Sequence, residues 1–278
     1  MPSYCTRCGA ALPETGAKFC PSCGVPVSPT GKKTETFHQI LNVSGKPMVN
    51  VKVGALGSVT VRRGNDGEVV VDSQVIEPES IDYSVTQNAN AVAVTSRVKS
   101  WSPFLWGSYF FSGGPRTNIT VTVPREADLI LETTTDPISA NGIRGLLDVE
   151  SKTGSIHLTE CEGSVNARTH TGTVDLENVN GNMAARSTTG SIRFLGSLST
   201  GDNSFRATTG SIDIALTGNP DLRLDASTTV GQITCSLDLG DARYEKGQYI
   251  GQHITGRIGA GAGRLTVETT VGSISIHK

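Results

Sequence analysis

Two Cys-x-x-Cys-Gly knuckles open the chain: Cys5-Thr6-Arg7-Cys8-Gly9 and Cys20-Pro21-Ser22-Cys23-Gly24, with eleven residues between Cys8 and Cys20. Each knuckle presents two thiolates on a tight turn, and the trailing Gly lets backbone N–H groups approach the sulfurs. Cys5, Cys8, Cys20 and Cys23 together supply four soft ligands for a closed tetrahedral site, which selects zinc. The alternatives are a redox pair or two disulfides. A redox Cys-x-x-Cys normally sits beside a βαβ pattern, and none is found here. Met1 to Cys8 has neither a basic stretch nor an apolar one, so no classical secretory signal is read and an oxidising compartment is not expected. One structural zinc ion is the expected cofactor. So small a segment has little core of its own, which makes metal binding its folding energy.

A second group with chemical potential is basic. Arg168, Arg186 and Arg206 recur at steps of 18 and 20 residues, and His170 lies two residues after the first of them. If the chain between them repeats as a stacked unit, the three guanidiniums share one face about 4.8 Å apart. Such a row repels itself unless something neutralises it. It is therefore a candidate anion-binding face for phosphate, an acidic glycan or an acidic partner. The plainer reading is a solvated ladder with counter-ions nearby.

The third group is aromatic. Trp101, Phe104, Leu105, Trp106, Tyr109, Phe110 and Phe111 lie within eleven residues that hold six of the fourteen aromatics, and Gly113-Gly114-Pro115 closes the segment. So apolar a loop must be covered by something. It reads either as a patch that meets a partner or a bilayer interface, or as a lid over the end of the fold.

What would position these groups is a repeat. Thr153-Gly154-Ser155-Ile156, Thr171-Gly172-Thr173-Val174, Thr189-Gly190-Ser191-Ile192, Thr209-Gly210-Ser211-Ile212, Val230-Gly231-Gln232-Ile233 and Val271-Gly272-Ser273-Ile274 are variants of one cassette. Thr135-Asp136-Pro137-Ile138 looks like an earlier copy without its Gly, and Ile250-Gly251 with Ile254 like a degenerate one. The anchors fall at 135, 153, 171, 189, 209, 230, 250 and 271, so the steps run from 18 to 21 residues. A fixed period of this length marks a repeat architecture. Apolar residues alternate on both sides of each Gly, as in Leu147/Val149 before Gly154 and Ile156/Leu158 after it. That pattern gives two strands per rung, each with one buried face. The fold expected is all-β: a single-stranded parallel β-helix, a right-handed solenoid with 18–21-residue rungs stacked in chain order, preceded by a small metal module.

The organisation expected is residues 1–27 for the metal module, 28–36 for a linker, 37–118 for irregular opening strands with the aromatic loop, and 119–278 for regular rungs. Within the opening strands, Asn65-Asp66-Gly67 reads as a hairpin turn. Cys235 alternates with Ile233 and Leu237 and should point inward as a small hydrophobe.

The knuckles resemble the short zinc-ribbon modules at the N-termini of many bacterial proteins, a resemblance covering about residues 3–27. The cassettes Thr169-His170-Thr171-Gly172-Thr173-Val174 and Ser187-Thr188-Thr189-Gly190-Ser191-Ile192 resemble the bacterial putative-adhesin family of β-strand-repeat domains, over roughly residues 40–278. That resemblance implies a β-solenoid associated with the cell envelope and carries no catalytic residues to transfer.

Function is constrained more by what is missing. Twenty-four Lys and Arg against 26 Asp and Glu give no global case for nucleic acid. Arg7, Lys18, Lys32 and Lys33 are too few to make the ribbon a nucleic-acid module. Four residues after the anchors, His157, Asp175, Arg193 and Asp213 form another outward column. Arginine separates its acids, and Asp175 with Glu177 is the only close pair, a poor basis for a glycosidase. The reading is a non-enzymatic scaffold or binding protein that presents an extended β-helix face, its zinc ribbon serving a protein contact. The alternatives are a cell-surface or envelope adhesin and a polysaccharide-active β-helix enzyme. A protein partner is expected, with a peripheral membrane contact through the 101–111 loop as a further option, and an oligomer or polymer is allowed. The expected location is cytoplasmic, or peripheral at the inner membrane face.

Overall fold

The computed structural model describes residues 33–99, 114–246 and 251–278. The four expected zinc ligands and the aromatic segment 101–111 lie outside the described residues, as does most of the 28–36 linker.

In chain order the strands are β1 (Thr34–Asn42), β2 (Met48–Val53), β3 (Val59–Arg63), β4 (Glu68–Ile76), β5 (Ile81–Asn88), β6 (Ala91–Val98) and β7 (Arg116–Val123). Next come β8 (Asp128–Thr133), β9 (Ile138–Asn141), β10 (Arg144–Ser151), β11 (Ile156–Thr159), β12 (Glu162–Thr171), β13 (Val174–Thr189), β14 (Ile192–Leu198), β15 (Asp202–Thr209) and β16 (Ile212–Leu216). The last are β17 (Leu222–Val230), β18 (Ile233–Cys235), β19 (Gly240–Lys246), β20 (Gln252–Ile258), β21 (Gly263–Val271) and β22 (Ile274–His277). A single 3-10 turn at Pro78–Ser80 is the one helical element among the described residues. The protein is all-β.

Each cassette bends the chain from one parallel sheet into another. The first sheet runs β6–β2–β8–β10–β12–β13–β15–β21–β17, all parallel. The second runs β7–β3–β9–β11–β13–β14–β16–β22–β18, also parallel. β13 serves both, crossing over at a register shift between Glu177 and Val179. Antiparallel strands finish the ends. β5 pairs with β6, and β4 with β7 and β1, at one end; β20 pairs with β17, and β19 with β20, at the other.

The apolar columns read from the sequence form the core between the sheets. Leu129, Leu131, Leu147, Val149, Ile156, Leu158, Val174, Leu176, Ile192, Ile212 and Ile274 are all buried. Where the column breaks at Asn203, the side chain is also buried and its amide is satisfied. It accepts from the Met183 N–H at 3.0 Å and donates to the carbonyls of Ser199, Gly201 and Arg264. Cys235 is half-buried rather than enclosed.

Three expectations are corrected. Rungs do not stack in chain order throughout. The rungs anchored at 135, 153, 171, 189 and 209 do, but the last rung, β21/β22, inserts between β15/β16 and β17/β18. Likewise β2/β3 sits between β6/β7 and β8/β9. The supposed degenerate copy near 250 is not a rung, since β20 runs antiparallel to β17. Asn65-Asp66-Gly67 is not a hairpin turn either: β7 lies between β3 and β4, so the two strands it joins do not pair.

A hydroxyl two residues before each anchor holds the turns together. Thr169 Oγ1 donates to the Gly154 carbonyl at 2.9 Å, Ser187 Oγ to Gly172 at 3.1 Å, Thr269 Oγ1 to Gly210 at 3.0 Å and Thr228 Oγ1 to Gly272 at 3.0 Å. Each caps the turn of the adjacent rung and is itself buried, so the polar ladder costs no unmet hydrogen bonds. Ala207 is the member of this column that lacks the hydroxyl.

Candidate functional site

The outward face of the first sheet carries one continuous charged row. Register places Lys52, Glu132, Glu150, Arg168, Arg186, Arg206, Glu268, Ser227 and His253 side by side, one per strand. The three arginines read from the spacing are therefore neighbours. Strand alternation explains why: each lies one residue outside a buried pair, as Arg186 does between buried Ala185 and Ser187.

The row is not uniformly unneutralised. Arg168 Nη1 lies 3.6 Å from Asp148 Oδ1, and Arg206 Nε lies 3.2 Å from Glu268 Oε2. Lys52 Nζ is 2.7 Å from Glu132 Oε1. Arg186, between the two paired arginines, is exposed and has no ion-pair partner among the described residues. These pairs are half-exposed, so each contributes only about 0–1 kcal/mol.

His170 is exposed in the adjoining column, between Lys152 and Thr188 in rung order. Beyond Thr188 that column continues Thr208, Thr270, Thr229, because the last rung places Thr270 between the other two. Between the arginine row and this threonine row lies a shallow open depression of about 310 Å³, lined by Arg186, Arg206, Glu268, Thr208, Thr270 and Thr229 among others. Sequence reasoning found the arginines and put Glu268 and Thr270 in outward columns, but not beside Arg206 and Thr208. Stacking in chain order through the anchors at 230 and 250 put both three rungs away from Arg206.

The second sheet carries a charged column of its own. His157, Asp175, Arg193 and Asp213 are in register across β11, β13, β14 and β16. His157 Nδ1 is 3.8 Å from Asp175 Oδ2, and His277 Nε2 is 3.3 Å from Asp213 Oδ1. No group of three His, Cys, Asp or Glu side chains among the described residues is arranged to hold a metal ion. The thiols of Cys161 and Cys235 are pushed above their ordinary pKa by burial, which suits small core residues rather than nucleophiles. No helix among the described residues is long and apolar enough to cross a membrane.

Residues 144–277 match the family described as Toastrack DUF4097, and residues 4–27 match a zinc-ribbon domain family. The first match begins at β10 and runs into β22; the second takes in both cysteine knuckles. No curated protein is similar to the chain. Among solved structures, a putative cell adhesion protein from Clostridium sporogenes is 12% identical, with 88% of this chain and 99% of that one covered at a TM-score of 0.37. A putative adhesin from Bacteroides fragilis is 11% identical, with 89% and 99% covered at a TM-score of 0.32. A putative lipid binding protein from Parabacteroides distasonis is 7% identical, with 89% and 99% covered at a TM-score of 0.30. The resemblance to putative-adhesin repeat domains with an N-terminal zinc ribbon thus holds. The expected cytoplasmic location, or a peripheral one at the inner membrane face, does not: three of the similar structures are named as adhesion proteins.

Proposed function

We propose that this chain is a non-enzymatic binding protein of the cell surface or envelope, an adhesin-type β-solenoid that binds its target through the outward face of the first sheet. The observation that carries this reading is the uninterrupted row Arg168, Arg186, Arg206, whose central member has no carboxylate partner among the described residues. A parallel sheet in continuous register holds these side chains at the spacing of its strands. That suits recognition of an extended surface better than chemistry on a small substrate, which calls for an enclosed pocket. The names of the similar structures agree with the assignment.

The N-terminal module fits one zinc ion by the chemistry of its donor set. Cys5, Cys8, Cys20 and Cys23 would hold it, and the metal would supply folding energy and no reaction. Its role in this reading is a protein contact that tethers the solenoid. Purified protein should contain about one equivalent of zinc per chain, and a clear deficit would remove the zinc assignment.

The binding reading is tested by sedimenting the purified full-length protein with intact bacterial cells and with isolated envelopes across a salt series. Co-sedimentation that weakens as salt rises supports it. Protein that stays in the supernatant at low salt overturns it.

A further inference from the structure

The depression on the first sheet contains more than positive charge, and its composition narrows the ligand. Resting on the surface-binding reading above, we infer that this site takes a carboxylate-bearing polysaccharide, laid across the strands, with Arg186 as the residue that engages the carboxylate.

The argument starts from Arg186. Its two neighbours in the row are each answered by a carboxylate on the side away from it, Asp148 for Arg168 and Glu268 for Arg206. Among the described residues that leaves Arg186 as the one guanidinium of the row without a carboxylate, open to a counter-charge from a ligand. A planar fork of N–H donors matches a carboxylate bidentately, which a solvated point charge such as lysine would not.

The surroundings ask for hydroxyls. Thr208, Thr270 and Thr229 form an exposed row of hydroxyls along the depression, each able both to donate and to accept. Glu268 at its edge can only accept, so it favours a ligand that brings O–H donors and disfavours one that is densely anionic. A sugar chain carrying one carboxylate per residue or fewer meets both demands. The depression is open and shallow, so it fits a polymer lying over it rather than a buried small molecule.

A nucleic acid fits poorly. Among the described residues no aromatic side chain lines the depression for base stacking, and Glu150, Asp148 and Glu268 flank the three arginines with like charge to phosphate. The site also depends on the rung order. Without β21 between β15 and β17, neither Glu268 nor Thr270 would be present.

The test is titration calorimetry of the full-length protein with polygalacturonate, neutral dextran and inorganic polyphosphate. Polygalacturonate should bind, dextran should not, and polyphosphate should bind at least tenfold more weakly. Arg186→Ser should weaken polygalacturonate binding by tenfold or more, and Arg186→Lys should restore less than half of that loss. Arg193→Ser, on the other sheet, should leave binding within twofold. Because Arg186 is exposed, its variants should retain the wild-type melting temperature, and that is checked alongside. Undiminished binding by Arg186→Ser, an equal loss from Arg193→Ser, or a polyphosphate affinity equal to that for polygalacturonate would each overturn the inference. If Arg186→Ser still sediments with envelopes as the wild type does, the surface-binding reading survives and this site falls. If the wild type neither sediments nor binds polygalacturonate, both fall.

Discussion

Glu268 Oε2 stands 3.2 Å from Arg206 Nε, although the five strands β16 to β20 separate the residues in the chain. The contact exists because the last rung returns to lie against β15 rather than extending the stack beyond β17. It ends the arginine row and creates the mixed edge of the depression.

That return is directly measurable. Thr209 and Val271 are register partners at the exposed glycine edge, whereas Thr209 and Val230 lie on opposite sides of Val271. Adjacent parallel strands place Cα atoms within disulfide range, and strands twice removed do not. Thr209→Cys with Val271→Cys should crosslink on mild oxidation, and Thr209→Cys with Val230→Cys should not. Peptide mapping under non-reducing conditions distinguishes the two. Crosslinking of the second pair alone would mean that the rungs stack in chain order.

The glycine turns should tolerate no side chain. Gly190 has φ 137°, and a Cβ there would fall 2.1 Å from the Gly172 carbonyl oxygen. Gly190→Ala should therefore lower stability by about 2–4 kcal/mol, combining backbone strain with overpacking. Gly45 also has positive φ, at 75°, but nothing lies within 4 Å of its added Cβ. Gly45→Ala should cost only about 1 kcal/mol. Urea denaturation of the two variants measures the difference.

The buried hydroxyl column gives a matched pair of opposite sign. Thr169→Val removes the bond to the Gly154 carbonyl and leaves that acceptor unmet, at a cost of about 1–3 kcal/mol. Ala207→Ser places a hydroxyl where the pattern would direct it to the Gly190 carbonyl, and should add about 0.5–1 kcal/mol. A destabilised Ala207→Ser protein would show that the turn of this rung has no room for the bond.

Acid should weaken the stack at β8. Burial pushes the Asp128 carboxyl up, but the ammonium of Lys46 at 2.5 Å and the Leu146 N–H at 2.8 Å outweigh it and hold the pKa below the ordinary carboxylate value. A folded-state pKa below the unfolded one adds stability above the unfolded value, about 3.9, and that stability is lost as pH falls through the folded one. Asp128→Asn should thus lower the melting temperature at pH 7 and have progressively less effect as the pH drops below 4. An equal deficit at pH 7 and pH 3 would assign the effect to packing.

The thiols should differ in reactivity. Cys161 is buried and Cys235 half-buried, and burial raises both above their ordinary pKa. Iodoacetamide on the native protein, mapped by mass spectrometry, should label Cys235 slowly and Cys161 not at all until the protein unfolds.

The sequence by itself determined the rung. Alternating apolar residues on either side of a Gly admit one arrangement, two half-buried strands joined by a tight turn, and Leu147, Val149, Ile156 and Leu158 are buried as that requires. It also determined that Arg168, Arg186 and Arg206 share a face, because these three lie in rungs that do stack in chain order. The order of the remaining rungs belonged to the tertiary structure. Every rung offers its neighbours nearly the same apolar columns and the same ladder of backbone donors and acceptors, so local pattern cannot say which copy lies beside which. Closure of the two ends decides it: β20 with β19, and β4 with β1, cover strands that the last and first rungs leave behind. For that reason Glu268 and Thr270, which complete the depression, were legible as outward residues but not as neighbours of Arg206 and Thr208. The hydroxyl at Thr169 and Ser187 was visible as a column of small polar residues. Its burial against the adjacent turn depends on the distance between rungs, which no single rung contains.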